Sequence, residues 1–303
     1  MLGIYVILGS AMNLLIGYTG QISLGMAGFY GMGAYTSALI CKDLNVPFFI
    51  GLIAAAVVCF VVGYILGFPS TRLNFIFLGL STAGLNTIIQ LIITNSKFTG
   101  GASGLSNIPR LMLFGEEMTK LQYYYMTLFI VLLLLYICYR IVNTKTGRAL
   151  ISIRGNPLAA SAVGINVNQY KLLVFAIASS MAGVAGTLYA FNIHFIQAEA
   201  FSTDMSFKIL TMGVIGGMGS LGGGVVGSLV TGVLPEFLRD FSKYQLTLYG
   251  LMIVLVLRFM PGGIISPFQK LFKKIDLGIE EKRSKKNSIK EVKEESEKFK
   301  KEG

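Results

Sequence analysis

Apolar runs close to the ~20 residues that an α-helix needs to cross a bilayer recur along this chain, and no other feature restricts its fold as much. They are read at about 2–17, 22–41, 47–68, 73–94, 122–142, 172–194, 205–217, 224–238 and 245–260. Hydrophobic residues make up 53% of the 303, and mean hydropathy is +0.67. Within lipid every backbone N–H and C=O must find its partner inside the protein, so the runs read as helices. The expected fold is all-α: a polytopic transmembrane helical bundle over residues 1–268, followed by a charged tail at 269–303.

Charge follows the same division. The stretch from Lys270 to Glu302 holds 12 of the 26 basic and 8 of the 15 acidic residues. A pI near 9.5 therefore reflects cytoplasmic Lys and Arg and a surface against anionic lipid, and nucleic-acid binding is rejected. The connection at 143–171 carries Lys145, Arg148, Arg154 and Lys171 with no acid, and the tail is basic too. Both are placed in the cytoplasm by the positive-inside rule. Four runs separate them, an even number, so the two placements agree. Counting back puts 95–121 and Met1 outside, with Lys97, Arg110 and Lys120 offset by Glu116 and Glu117. Met1 opens almost directly on an apolar run with no basic region before it, so an upstream helix is expected to be missing from this chain.

Two runs are crowded with glycine: Gly17 to Ile40 and Gly213 to Gly232. Glycine weakens a helix interior by ~1 kcal/mol relative to Ala, but it lets backbones approach closely and lets a helix break where it lines a cavity. A pair of such interrupted runs points to a transporter's central pathway. Gly217, Gly219 and Gly222 spell G-x-G-x-x-G, with Glu236 downstream, yet a dinucleotide site needs a strand-turn-helix unit that this chain lacks. No G-x-x-x-x-G-K-[ST] is present, so no ATP hydrolysis by this chain is expected.

Thr82, Asn86 and Gln90 recur every four residues, within about 80° of one another around a helix. Such a stripe should face the bundle, either as interhelical glue or as the lining of a route for a polar solute. Asn13, Gln21 and Ser23 leave the same two readings open, and Gly217 and Gly219 join them as pathway candidates. His194, the one histidine, reads as interfacial, and Cys41, Cys59 and Cys138 as buried free thiols. No nucleophile, base and acid set is visible, and neither a metal nor a cofactor is expected.

Within 143–171, Asn156 followed by Pro157 reads as an N-cap and first helical position, and Gly164 suits the left-handed residue that ends a helix. A helix of about two turns is marginal alone in water, so it should pack against something. Ala159, Ala160, Ser161 and Ala162 allow close approach by a partner, and Arg148 and Arg154 offer planar groups to carboxylates. A solvated loop that only fixes topology is the plainer reading.

Across residues 9–264 the chain resembles the LivM-type membrane subunit of branched-chain amino-acid ABC importers. The resemblance is carried, in order, by GYTGQISLGMAGFYGMGAYTSALI, FTGGASGLSNIP, TGRALISIR, AASAVGINVNQYKLLVFAIASSMAGVAGTLYA, GGMGSLGGGVVGS, LPEFLRD and RFMPGGI. It implies a permease subunit of the bacterial inner (plasma) membrane, multi-pass with its C-terminus in the cytoplasm. The partners it implies are two cytoplasmic ATPase subunits, a second, similar membrane subunit and an extracytoplasmic solute-binding protein. The loop would be the coupling element, with Ala159, Ala160 and Gly164 on its A-A-x-x-x-G pattern, and Lys97 to Lys120 would face the binding protein.

The chain also departs from that family. Members have a further apolar helix ahead of the point where this chain starts. Gly155 and Pro157 stand where an acidic residue follows the arginine, so an acidic contact to the ATPase is not carried over. The stripe at Asn86 and Gln90 lacks the acid and base often seen there. The implied cargo is leucine, isoleucine and valine. Urea or short amides, or an ATP-independent channel or ion-coupled transporter, are the alternatives.

Overall fold

The computed structural model describes residues 1–70, 75–113 and 116–237, with isolated positions between 247 and 263. Among them are α1 (Leu2–Met12), a π-helical turn continuing it (Asn13–Thr19), α2 (Met26–Leu44), α3 (Phe48–Ser70), α4 (Phe75–Asn95) and α5 (Lys120–Val142). These are followed by α6 (Lys145–Gly155), α7 (Pro157–Ala162), α8 (Val167–Ile193), α9 (Thr203–Gly216) and α10 (Leu221–Phe237). The one described sheet is a ladder of two-residue strands, β1 (Met112–Leu113) and β2 (Glu116–Glu117).

Among the described residues, five stretches are long and apolar enough to span a membrane: Leu2–Thr19, Phe48–Pro69, Phe77–Asn95, Lys120–Val142 and Val167–Ile193. The expected runs near 205–217 and 224–238 become α9 and α10, joined by a tight turn. At 14 residues α9 is about 21 Å long, short of the ~30 Å hydrocarbon core, so it is a half-helix. The run expected at 22–41 is corrected at its start. Gly20 is left-handed at φ 72°, residues 20–25 are not helical, and α2 begins at Met26. The run at 245–260 and the tail at 269–303 lie outside the described residues.

The centre of the bundle is α8 against α2 and α3. Without a hydrophobic drive between helices in lipid, their association depends on close van der Waals packing, which small residues permit. A β-carbon on Gly33 of α2 would overlap the Gly183 backbone of α8, and one on Gly183 would lie 2.8 Å from Cys59 Cβ of α3. At the periphery, α3, α4 and α5 turn large apolar side chains outward, among them Ile53, Val57, Ile88, Phe129 and Leu132. Those surfaces suit lipid.

The connections sort to two ends. At one end the loop after α4 pairs with the connection after α8: Leu105 N–H donates to the Ile196 carbonyl at 2.9 Å, and Ile196 N–H returns the bond at 3.1 Å. Lys42 Nζ reaches the Ser106 carbonyl at 3.1 Å, and a Thr119–Gln122 capping box starts α5. At the other end lie α6, α7 and the 217–220 turn.

Candidate functional site

Residues 143–171 form a helical hairpin, so the expectation of one short helix in an otherwise open loop is corrected: α6 precedes it. Ala149, Leu150 and Ile153 give α6 an apolar face, buried against the bundle, while Arg148 and Ser152 point to solvent. After α6 the chain turns at Asn156, whose side-chain oxygen accepts from Leu158 N–H at 3.0 Å and Ala159 N–H at 3.1 Å. Pro157 follows as the first helical residue, where its missing N–H costs nothing. The helix ends in a Schellman arrangement: Ile165 N–H bonds the Ala160 carbonyl at 3.1 Å and Gly164 N–H the Ser161 carbonyl at 3.0 Å, with Gly164 at φ 83°.

The hairpin's two alanines part company. Ala159 is exposed, whereas Ala160 is 3% exposed and packs inward, so of the two only Ala159 is free to meet a partner. Leu158 is 81% exposed and Val163 76%, and Ile151 is exposed beside them on α6. Three large apolar side chains are therefore exposed on the hairpin, two of them at the helix capped at both ends.

The two glycine-rich runs meet just above. Asn13, fully buried in the π-helical turn, donates to the Gly217 carbonyl at 3.0 Å and the Ser220 carbonyl at 2.8 Å, and its oxygen accepts from Gly219 N–H at 3.0 Å. These bonds satisfy polar groups freed where α9 stops and α10 has not begun. Gly17 and Gly219 let the chains touch: a β-carbon on Gly17 would lie 3.0 Å from Gly219 Cα. The G-x-G-x-x-G run is thus a turn between antiparallel helices. Asn13→Ala should leave the Gly217 carbonyl and the Gly219 N–H unpaired, while the Ser220 carbonyl keeps its bonds from Gly223 and Gly224 N–H, and cost about 2 kcal/mol, read as a fall of several degrees in the detergent melting midpoint.

Arg154, expected to face a partner's carboxylates, instead directs Nη1 to the Gly17 carbonyl at 2.5 Å. Its stem passes Gly20, where a β-carbon would lie 3.7 Å from Cγ. The guanidinium of the hairpin therefore closes on the junction of the two broken helices.

A second polar cluster surrounds the break at 20–25. Thr82 Oγ1 accepts from Leu24 N–H at 2.9 Å, and Ser206 of α9 accepts from Ala27 N–H at 3.2 Å, so both pair donors freed at the start of α2. Ser23 Oγ accepts from Gly25 N–H at 3.3 Å. Asn86 Nδ2 approaches the Phe201 carbonyl at 3.4 Å while its Oδ1 has no partner, and Gln21 keeps an unpaired Nε2 beside a bond from Thr19 at 3.0 Å. Gln90, one turn further, is half-buried. Interhelical bonding accounts for Thr82, and two buried polar atoms in the cluster stay unsatisfied.

The structure thus brings Asn13, Gly217, Gly219 and Arg154 to one junction and Gln21, Ser23, Thr82 and Asn86 to another; Arg148, Asn156, Pro157, Ala159, Ala160 and Gly164 lie on the hairpin. Sequence reasoning missed Ser206, Phe201 and Lys208. The last left a trace, being a cation inside an apolar run. Its Nζ lies 3.2 Å from the Tyr5 hydroxyl and 4.3 Å from that ring's centroid.

A family model described as the permease component of branched-chain amino acid transport systems matches residues 1–257. The chain is 32% identical over 287 residues to the high-affinity branched-chain amino acid transport system permease protein LivM of Escherichia coli (strain K12), covering 86% of this chain and 68% of that protein. It is 29% identical over 233 residues to a probable LivM of Methanocaldococcus jannaschii, covering 71% and 67%. It is 26% identical over 231 residues to the autoinducer 2 import system permease protein LsrC of Yersinia pseudotuberculosis, covering 74% and 62%. No solved structure matches the chain.

Proposed function

Because this chain belongs to the family of branched-chain amino acid transport permeases, we propose that it is a membrane-spanning subunit of an ATP-driven importer of leucine, isoleucine and valine. Two ATPase subunits dock from the cytoplasm, a second, similar membrane subunit completes the pathway, and an extracytoplasmic binding protein delivers the solute. Residues 1–268 are the permease domain, embedded in the plasma membrane, and residues 269–303 are a cytoplasmic tail.

The observation that carries this reading is the hairpin. A doubly capped two-turn helix that holds Leu158 and Val163 in water has the form of a docking knob, and nothing in a channel or ion-coupled carrier requires one. Arg148, Arg154, Asn156, Pro157, Ala159, Ala160 and Gly164 build the knob and its support. The pathway is assigned to Asn13, Gln21, Ser23, Thr82, Asn86, Gln90, Gly217 and Gly219, among which Gln21 Nε2 and Asn86 Oδ1 are buried polar atoms without a protein partner. Support for the cargo comes from the relatives' names. The resemblance to an autoinducer permease favours a membrane scaffold whose selectivity is supplied largely by the binding protein.

Affinity purification of the tagged chain from its native membranes tests the proposal. An ATPase should co-purify in a one-to-one ratio with total membrane subunits, and leucine uptake into vesicles should require internal ATP. Purification without an ATPase, together with uptake that survives ATP depletion, would sink it in favour of a channel or ion-coupled carrier.

A further inference from the structure

Arg154 is anchored in one element and spent on another. It leaves the last turn of α6, two residues before the turn at Asn156 that starts the docking helix, and bonds the Gly17 carbonyl 137 residues away. Gly17 in turn sits against Gly219, and a β-carbon on Gly219 would lie 2.6 Å from Arg154 Nη1 and 3.0 Å from the Gly17 oxygen. Glycine at 219 therefore clears the space that the guanidinium occupies, and glycine at 17 lets the two backbones touch beside it. Behind that space, Asn13 ties the π-helical turn to Gly217, Gly219 and Ser220.

The choice of residue suits the task. A guanidinium keeps its charge at any physiological pH and presents rigid, planar donors, so it can hold a backbone carbonyl at a fixed distance from a moving helix. That carbonyl belongs to a π-helical turn, a wider and rarer winding than the α-helix and one associated with functional sites. Meanwhile Leu150 and Ile153 bury one face of α6, so Arg154 stands on a packed helix and any shift of that helix would shift the guanidinium with it.

We propose that Arg154 is the positioning residue that links the cytoplasmic hairpin to the junction of the two broken helices: in the arrangement seen here it latches that junction shut, and displacement of the hairpin withdraws it. The inference rests on the coupling role proposed for the hairpin. It assigns Arg154 to transmission within this chain, in place of contact with the ATPase.

The test uses the complete importer, with its binding protein, in proteoliposomes, comparing the unsubstituted chain with Arg154→Ala and Arg154→Lys. With the latch removed, Arg154→Ala should keep its full complement of ATPase but transport about tenfold less solute per ATP hydrolysed, the weight of one charged hydrogen bond. Its ATP hydrolysis in the absence of binding protein should rise. Arg154→Lys, able to reach the Gly17 carbonyl with a single donor, should recover part of the ratio. A merely structural side chain would lower yield and leave the ratio unchanged. An unchanged ratio in Arg154→Ala overturns the proposal, and so does loss of the ATPase from that variant, which would make Arg154 a docking residue. Should the unsubstituted chain itself bring down no ATPase, the coupling reading fails first.

Discussion

Leu158→Glu is expected to release the ATPase from the importer while leaving the membrane subunit folded. The side chain is 81% exposed, so its replacement disturbs little within the chain. At a docked interface it would sit in the desolvated centre, where losing one anchor costs about 2 kcal/mol or more, a fall of roughly thirtyfold in affinity, and a buried carboxylate adds to it. Co-purification on the tagged subunit, with the melting midpoint measured in the same sample, separates the two effects. Wild-type recovery of ATPase would put the interface elsewhere on the hairpin. Ala159→Trp should act in the same direction through bulk. Ala160→Trp makes a contrasting case, because that side chain faces the bundle and its enlargement should unseat the hairpin itself.

Gly33→Val should prevent the bundle from forming. Its β-carbon falls on the Gly183 backbone, and a backbone cannot rotate out of the way as a side chain can. Either α2 and α8 move apart, forfeiting the contacts that hold helices together in lipid, or the strain stays; the cost is about 3 kcal/mol or more. Monodisperse protein recovered after detergent extraction is the measure, with Gly84→Ala of α4 as its counterpart. There a β-carbon meets nothing within 4 Å, so removing a helix-interior glycine should raise stability by up to ~1 kcal/mol. Equal yields for the two would overturn this account of the packing.

What could be read from the residues follows how local the controlling interaction is. The ends of α7 were legible because a cap is decided within a few residues: Asn156 bonds N–H groups two and three positions on, and Gly164 takes a conformation that costs other residues energy. Helix α6 was not, since Gly147 and basic residues disguise an apolar face of only Ala149, Leu150 and Ile153, and its formation depends on the bundle beneath. The inward turn of Thr82 and Asn86 was legible from their spacing, but their partners were not. Leu24 N–H and the Phe201 carbonyl are backbone groups, identical at every residue and silent in the sequence. The bond from Arg154 was silent for the same reason, its acceptor being the carbonyl of a glycine. The short length of α9 is present in the 205–217 run, which falls below the ~20 residues of a full span.

The Leu105–Ile196 backbone pair gives α9 a place in the thermodynamics of transport. Ahead of α9, the connection from Ile196 to Phe201 is stitched to the loop after α4 and wedged among Tyr30, Tyr35 and Tyr189. At its far end, α9 runs into the turn held by Asn13 and abutted by Arg154. A rod gripped at both ends has no private position. By linkage, an interaction that shifted one end of α9 would change affinity at the other, and the exchange would run equally in reverse. Fourteen residues, fewer than a full span needs, thus tie the two ends of the described bundle to each other.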